Sequence, residues 1–352
     1  MRTDRDAMRR MGTGLVAFLA TGLLVGTGAR FLQAAPSPVC PQAQQGGRVR
    51  LLTLVPLVAE PVAKVLETGL PGLRVEAVAD LAGPTRVITE AEAGRWSFDV
   101  MLWSLPGLLV LAERGLLAEL PPEELSALQV PAGSRMLGNR ILRVYTTVYG
   151  LGYNRQRIRP EEVPKTWDEI AQPRWSGRVV GNVGLVENSI AGLGLLLGEG
   201  WMERFARRLR DEVRITVVPN PATAIQMILR GERDLWWSGI GEILERREKY
   251  REPIDWSPVR PTYGSVIAVS VLRGRAENAV ARCAAMWMAG AEGKRRLERE
   301  TVFMSDAADP QGILGRTLAQ ARLKPFVENV EAARKRVALA ERVRAILQGR
   351  VP

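Results

Sequence analysis

The chain has 352 residues, enough for two domains that each bury a core, and its 46% hydrophobic and 25% charged content is that of a globular protein. The formal net charge is +11, from 49 lysines and arginines against 38 acids, and there is no histidine. The arginines are mixed with glutamates, as in Glu242–Lys249, and form no basic stripe or nucleic-acid motif, so the surface reads as solvated and basic with no nucleic-acid role. Without histidine, Ser-His-Asp and Cys-His catalysis is excluded, and no phosphate loop or metal-ligand spacing replaces it.

Residues 1–35 have the layout of a secretory signal: a basic start, an uncharged run from Met11 to Ala29, and small residues at Ala34-Ala35. Five arginines against two aspartates give this segment +3, leaving +8 of the +11 on the rest. Arg9-Arg10 raises the twin-arginine route beside general secretion, which ranks first. Nineteen uncharged residues nearly span a bilayer, so an uncleaved anchor competes; the five glycines in the run favour cleavage. Cys40 and Cys283 are the only cysteines, and pairing, a buried free thiol and lipidation of Cys40 all stand open.

After a polar linker at 36–47, strand and helix patterns alternate: strand 48–55, helix 56–68, strand 73–79, helix 83–93, strand 98–103, and a helix from Ser104 to Arg114. Strands separated by single helices imply parallel βαβ units and an α/β sheet.

The stretch from Val148 to Gly177 is the most specific. Gly150-Leu-Gly-Tyr153-Asn154 ends an apolar run, and a basic turn leads to Pro164-Lys165-Thr166-Trp167. Thr166 and Glu169 form a capping box, and Trp175-Ser-Gly177 launches the next strand. This order resembles the inter-lobe segment of periplasmic solute-binding proteins of ABC importers, in the branch with ferric, thiamine, polyamine and phosphonate receptors. The resemblance implies a type II periplasmic-binding fold: two α/β lobes, each a mainly parallel sheet flanked by helices, joined by a hinge. It also implies an ABC permease as partner, with no enzymatic role and no cofactor.

In the second half, 178–183 reads as a strand, Asn188-Ser189 as the cap of a Gly/Leu-rich helix, and 201–210 as a helix. A strand at 213–218, a helix at 221–230 and a strand at 234–238 follow. Tyr263-Gly264 opens a run that resembles the family's return crossing into lobe one. Helices are expected at 279–297, matching the family's helix near Glu292-Gly293, and at 327–347, with Val330, Ala333, Val337, Ala340 and Leu347 on one face. Lobe one is then 48–146 with 266–320, lobe two 147–265, and 321–352 a C-terminal helical segment. The hinge falls on Tyr145, Tyr149, Tyr153 and Gly264.

In open α/β sheets a ligand sits beyond the carboxyl ends of the strands, facing helix N-termini. That rule selects Thr85 and Ser104 in lobe one and Asn188, Ser189, Asn220, Thr223, Trp237 and Ser238 in lobe two, with Tyr263 at the crossing. Taken singly, Thr85, Ser189 and Thr223 are ordinary N-caps; their coincidence at strand ends makes them candidates. Hydroxyls, amides and helix N-termini suit a small anion. One of Trp236 and Trp237 is expected to face the cleft by alternation. Indole donates no lone pair to a metal, which weakens ferric binding; a ferric or thiamine-like cation receptor and a sensory, non-transport role remain the alternatives. The protein is expected to act as a monomer.

Overall fold

The computed structural model describes residues 40, 41, 46–54 and 56–350. The expected export signal and most of the linker lie outside them. Eleven strands and thirteen α-helices of the described residues form an α/β architecture around one continuous, strongly crossed sheet.

The first half runs β1 (Gly47–Thr53), α1 (Pro56–Gly69), β2 (Leu73–Ala79), α2 (Gly83–Glu92), β3 (Val100–Ser104), α3 (Leu105–Glu113) and α4 (Pro122–Ala127). The short β4 (Arg135–Met136) leads into the long β5 (Ile141–Asn154). Next come α5 (Trp167–Ile170), β6 (Val179–Asn182), α6 (Leu185–Leu197), α7 (Glu199–Asp211), β7 (Thr216–Val218) and α8 (Pro221–Leu229). Then follow β8 (Leu235–Gly239), α9 (Ile240–Glu248), β9 (Ile254–Ser257) and the second long strand β10 (Tyr263–Val271). The chain finishes with α10 (Ala279–Ala289), α11 (Ala291–Glu300), α12 (Ile313–Gln320), β11 (Phe326–Val327) and α13 (Val330–Leu347).

The strand order β2-β1-β3-β10-β5-β8-β6-β7 explains the two lobes. β1, β2 and β3 pair in parallel, and β6 pairs in parallel with β7 and β8, because each connection carries a helix. Between these groups β10 and β5 run antiparallel, from Gly264 opposite Val148 to Val269 opposite Leu142. The first part of β5 therefore belongs to lobe one, while Tyr149–Tyr153 pairs with β8 in lobe two.

Each lobe has its own core. Lobe one packs Val49, Leu51, Val100 and Leu102 against α1 and against Trp287 of α10. Lobe two packs Trp167, Trp237 and Phe205, with the two indoles stacked at 4.7 Å between centroids. The Trp167 indole also donates to the Pro261 carbonyl at 2.7 Å, so the capping-box helix is held to the chain entering β10. The box forms as expected from one side, Thr166 accepting the Glu169 N–H, while the Glu169 carboxylate reaches Lys165 N–H one residue early.

Three element expectations are corrected. The helix at 279–297 is two helices, broken at Gly290, where a Cβ would stand 2.4 Å from the Leu128 carbonyl; the contact needs glycine, and the chain turns there. The helix after β6 starts at Leu185, so Asn188 and Ser189 are in its second turn. Gly184, at φ +79°, is the N-cap, its N–H taken by Glu187. On α13 the buried face is Ala333, Arg336, Leu339, Ala340, Val343 and Ile346, and Val337 is exposed.

Cys40 and Cys283 form a disulfide that closes a loop of 243 residues and fastens the start of the described chain to α10. In the chain-entropy limit such a loop contributes on the order of 5 kcal/mol, by restricting the unfolded ensemble. Reductant is expected to lower the melting temperature of the wild type by several degrees and to leave Cys283→Ser unaffected. Equal melting with and without reductant would contradict a formed bridge.

Candidate functional site

The carboxyl ends of the parallel strands form two rims. In lobe one, Gly83 and Gly107 both pack on the Trp103 indole, where a Cβ would come within 2.6 and 2.4 Å of its ring. That packing sets the starts of α2 and α3 side by side, with Pro84 against Gly107. Neither N-terminus takes a side-chain cap, from Ala82 or from Ser104. Thr85 is exposed and Ser104 half-buried at this rim. Asp80, just before α2, is occupied: it accepts the Ala82 N–H at 2.9 Å and faces Arg86, which also pairs with Glu90.

In lobe two the rim is Asn182-Val183-Gly184, Asn220–Thr223 and Ser238-Gly239. Asn220 is the N-cap of α8, its Oδ1 accepting both the N–H and the hydroxyl of Thr223. Asn220 and Thr223 are exposed. Asn188 donates to the Gly184 carbonyl at 2.5 Å and accepts from Arg336 of α13.

Between the rims, β5 and β10 carry buried polar groups on both faces. On one face Thr146 donates to Asp306 at 3.0 Å, and Asp306 is paired with Lys294 at 2.9 Å and Arg143 at 3.5 Å. Lys294 and Arg143 hold the Asp306 carboxyl below its ordinary value despite burial. On the other face Tyr149 shares a hydrogen bond with Ser265 at 2.7 Å and stacks on Tyr263, which donates to Glu328 at 2.8 Å. Arg336 donates to the same Glu328 at 2.8 Å, and Glu328 also accepts the Val266 N–H.

Several expected site residues are thereby relocated. Trp236 and Trp237 both have no exposed surface: Trp237 fills the lobe-two core beneath α6 and Trp236 packs beneath α8 and α9. Alternation does place them on opposite faces, but helices cover both. Ser189 is fully buried and donates back to the Val186 carbonyl. Tyr263 is fully buried at the crossing, held by Glu328. Tyr153 lies past the crossing, paired with Leu235 and Asp255 inside lobe two. Thr85, Ser104, Asn220 and Thr223 stay at the rims.

The residue that sequence reasoning underrated is Glu242, in the first turn of α9. It is 4% exposed and accepts the Ser238 hydroxyl at 2.5 Å, while its Oε1 is buried without a hydrogen-bond partner. Burial pushes its pKa up to about 7, against partial opposition from Ser238 and Arg246. Its only signal was an acid three residues into a helix directly after a strand. Among the described residues no group of three or more acids or cysteines is placed to hold a metal ion. Burial raises the phenols of Tyr145, Tyr149 and Tyr263 above their ordinary range.

No protein-family model matches the chain, and no curated protein matches it. Solved structures do. The substrate-binding protein of an ABC transporter from Agrobacterium tumefaciens aligns over 88% of this chain and 97% of its own, at 16% identity and a TM-score of 0.69. The apo ferric ion-binding protein A of Pasteurella haemolytica covers 85% and 97%, at 16% identity and 0.68. The periplasmic binding protein AfuA of Actinobacillus pleuropneumoniae, bound to fructose-6-phosphate, covers 86% and 99%, at 18% and 0.65. The fold is that of these periplasmic binding proteins. Within it, the two strand-end rims described above are the lobe faces on either side of the crossing strands. Among the described residues no helix is long and apolar enough to cross a membrane.

A buried carboxyl with a raised pKa makes folding pH-dependent in a definite direction. The unfolded group ionises near 4.5, the folded one near 7, so stability falls as pH rises through that window. Above it the ionised carboxylate costs on the order of 3 kcal/mol. Glu242→Gln is therefore expected to raise the melting temperature at pH 8 and to change it little at pH 4.5. An equal effect at both pH values would contradict the buried, uncompensated state of Glu242.

Proposed function

We propose that this protein is an exported solute receptor that captures a small organic anion between its lobes and delivers it to an ABC permease. The observation that carries the reading is the crossing itself. Two antiparallel strands join two parallel sheets, and the candidate polar residues gather at strand ends of both lobes. A ligand touching both rims is bound fully only when they approach, so it shifts an open–closed equilibrium towards closure.

The anion follows from the paired, uncapped N-termini of α2 and α3, whose dipoles favour negative charge, and from the basic balance of the chain. An organic rather than a bare inorganic ion is favoured by Leu57, Leu81 and Val183. These are 40%, 77% and 50% exposed, each just beyond a strand end, where a carbon body would cover them. The ferric reading has less support: the crossing tyrosines are buried, with phenols that ionise reluctantly, and indoles fill the end of β8. The Cys40–Cys283 bridge supports an oxidising compartment and hence export.

The test is a thermal-shift screen of the mature chain against carboxylates, sulfonates, phosphonates, Fe³⁺, thiamine and polyamines. A ligand at a hundred times its dissociation constant adds about 2.7 kcal/mol to stability. One class of organic anion is expected to raise the melting temperature. Thr85→Ala with Thr223→Ala, which keeps the Asn220 cap of α8, is expected to weaken that binding tenfold or more without lowering the unliganded melting temperature. Silence across the panel, in protein free of co-purified ligand, would contradict the reading.

A further inference from the structure

Most buried polar groups of this molecule complete one another. Glu328 is satisfied by Arg336, Tyr263 and Val266, Asp306 by Lys294, Thr146 and Ala308, and Glu245 by Thr301 and Phe303. Others do not, Glu252 Oε2, Ser270 Oγ and Ser305 Oγ among them, and two lie at the rim of lobe two. Glu242 Oε1 and Asn182 Oδ1 are both buried oxygens without a hydrogen-bond partner. Their residues are 4% and 9% exposed.

These two orphans belong together. The parallel register sets Gly181 beside Trp237, so one step on Asn182 neighbours Ser238, about 5 Å away across the sheet. Ser238 in turn donates to Glu242 Oε2. Asn182 donates one N–H of its amide to the Val183 carbonyl at 3.2 Å, and its Oδ1 accepts nothing. Arg246, the nearby cation, pairs with Glu252 and makes no ion pair with Glu242. The indole Nε1 atoms of Trp236 and Trp237 are also unpartnered, but they lie further back along β8; at the end of the strands the free oxygens are those of Asn182 and Glu242, one of them on a carboxyl group. Leaving a buried acceptor unpaired costs free energy that a bound donor recovers.

We infer that the solute carries a protonated amine as well as its anionic group, and that Glu242 and Asn182 of lobe two take the amine. The inference rests on the proposed binding role: the anionic group meets the α2 and α3 N-termini of lobe one, and the ammonium meets the acceptors of lobe two. An amino-bearing anion then bridges the lobes with complementary charge at each end, so each contact reaches full strength only on closure. The raised pKa of Glu242 agrees with a carboxyl whose counter-charge arrives with the ligand.

Matched probes differing by one amine test it. Calorimetric titration at pH 8 compares 2-aminoethanesulfonate with ethanesulfonate, O-phosphoethanolamine with ethyl phosphate, and 3-aminopropanoate with propanoate. At least one amino member is expected to bind the wild type tenfold or more tighter than its partner. In Glu242→Gln, confirmed folded by its melting curve, that preference is expected to fall below threefold, with the affinity of the amine-free partner unchanged. Asn182→Ala provides a second variant and is expected to reduce the same preference. Pairs that bind equally to the wild type, or a preference that survives in Glu242→Gln, overturn the inference and leave the anion reading standing. Binding by none of the six overturns both.

Discussion

The buried ion pair of Glu328 and Arg336 holds the crossing together. Glu328 lies just after β11, and its carboxylate accepts from Arg336 of α13, from the Tyr263 hydroxyl and from the Val266 N–H of β10. Arg336 also donates to Asn188 of α6, so one cation ties the C-terminal helix to both the crossing strand and lobe two. Such a pair earns little net stability against an apolar substitute, but losing either partner strands a buried charge at a cost of about 3–5 kcal/mol. Its value is geometric. It fixes where β10 passes between the lobes, and thereby where Ser104 and Gly239 end their strands on either side.

Around that pin, α13 acts as a strap. Val330 and Ala333 pack against the lobe-one cluster beside α3, while Leu339, Ala340, Val343 and Ile346 pack into lobe two. The opposite face of the crossing is covered by α9 and α12, with Val148, Ile240, Leu244 and Leu314 in one apolar group. The crossing strands are thus clad on both faces by helices that touch both lobes. Along β5 the partner changes from β10 to β8 between Val148 and Tyr149. Gly264 has room for no side chain there: a Cβ would come within 2.8 Å of Thr146.

Much of this was legible in the sequence. The alternation of apolar strands with single helices gave the parallel groups, because burial on both faces of such a sheet leaves continuous apolar runs such as Val100–Trp103. The stretch from Gly150 to Gly177 carried the crossing and the capping box. What the sequence withheld depended on contacts between distant segments. Period two says that Trp236 and Trp237 face opposite ways, but only the packed helices show that neither way leads to solvent. The break at Gly290 follows from the Leu128 carbonyl, 162 residues earlier in the chain. On α13 the helical spacing set Val337 on the buried face with Ala333 and Ala340, but Val337 is exposed, while Arg336 is buried against the Glu328 carboxylate.

Glu242 was hidden for a related reason. An acid in the first turn of a helix is an ordinary partner for the helix dipole, and nothing local distinguishes a solvated one from a buried one. Its environment comes from the end of β8 beneath it and from the 301–304 segment of lobe one, whose backbone packs on Gly241. The measurement that bears most directly on the whole account is small-angle X-ray scattering of the mature chain, titrated with the solute giving the largest thermal shift. The account requires the radius of gyration to fall, beyond experimental error, in step with saturation, as two lobes close on a shared ligand. Saturable binding at an unchanged radius of gyration would contradict it.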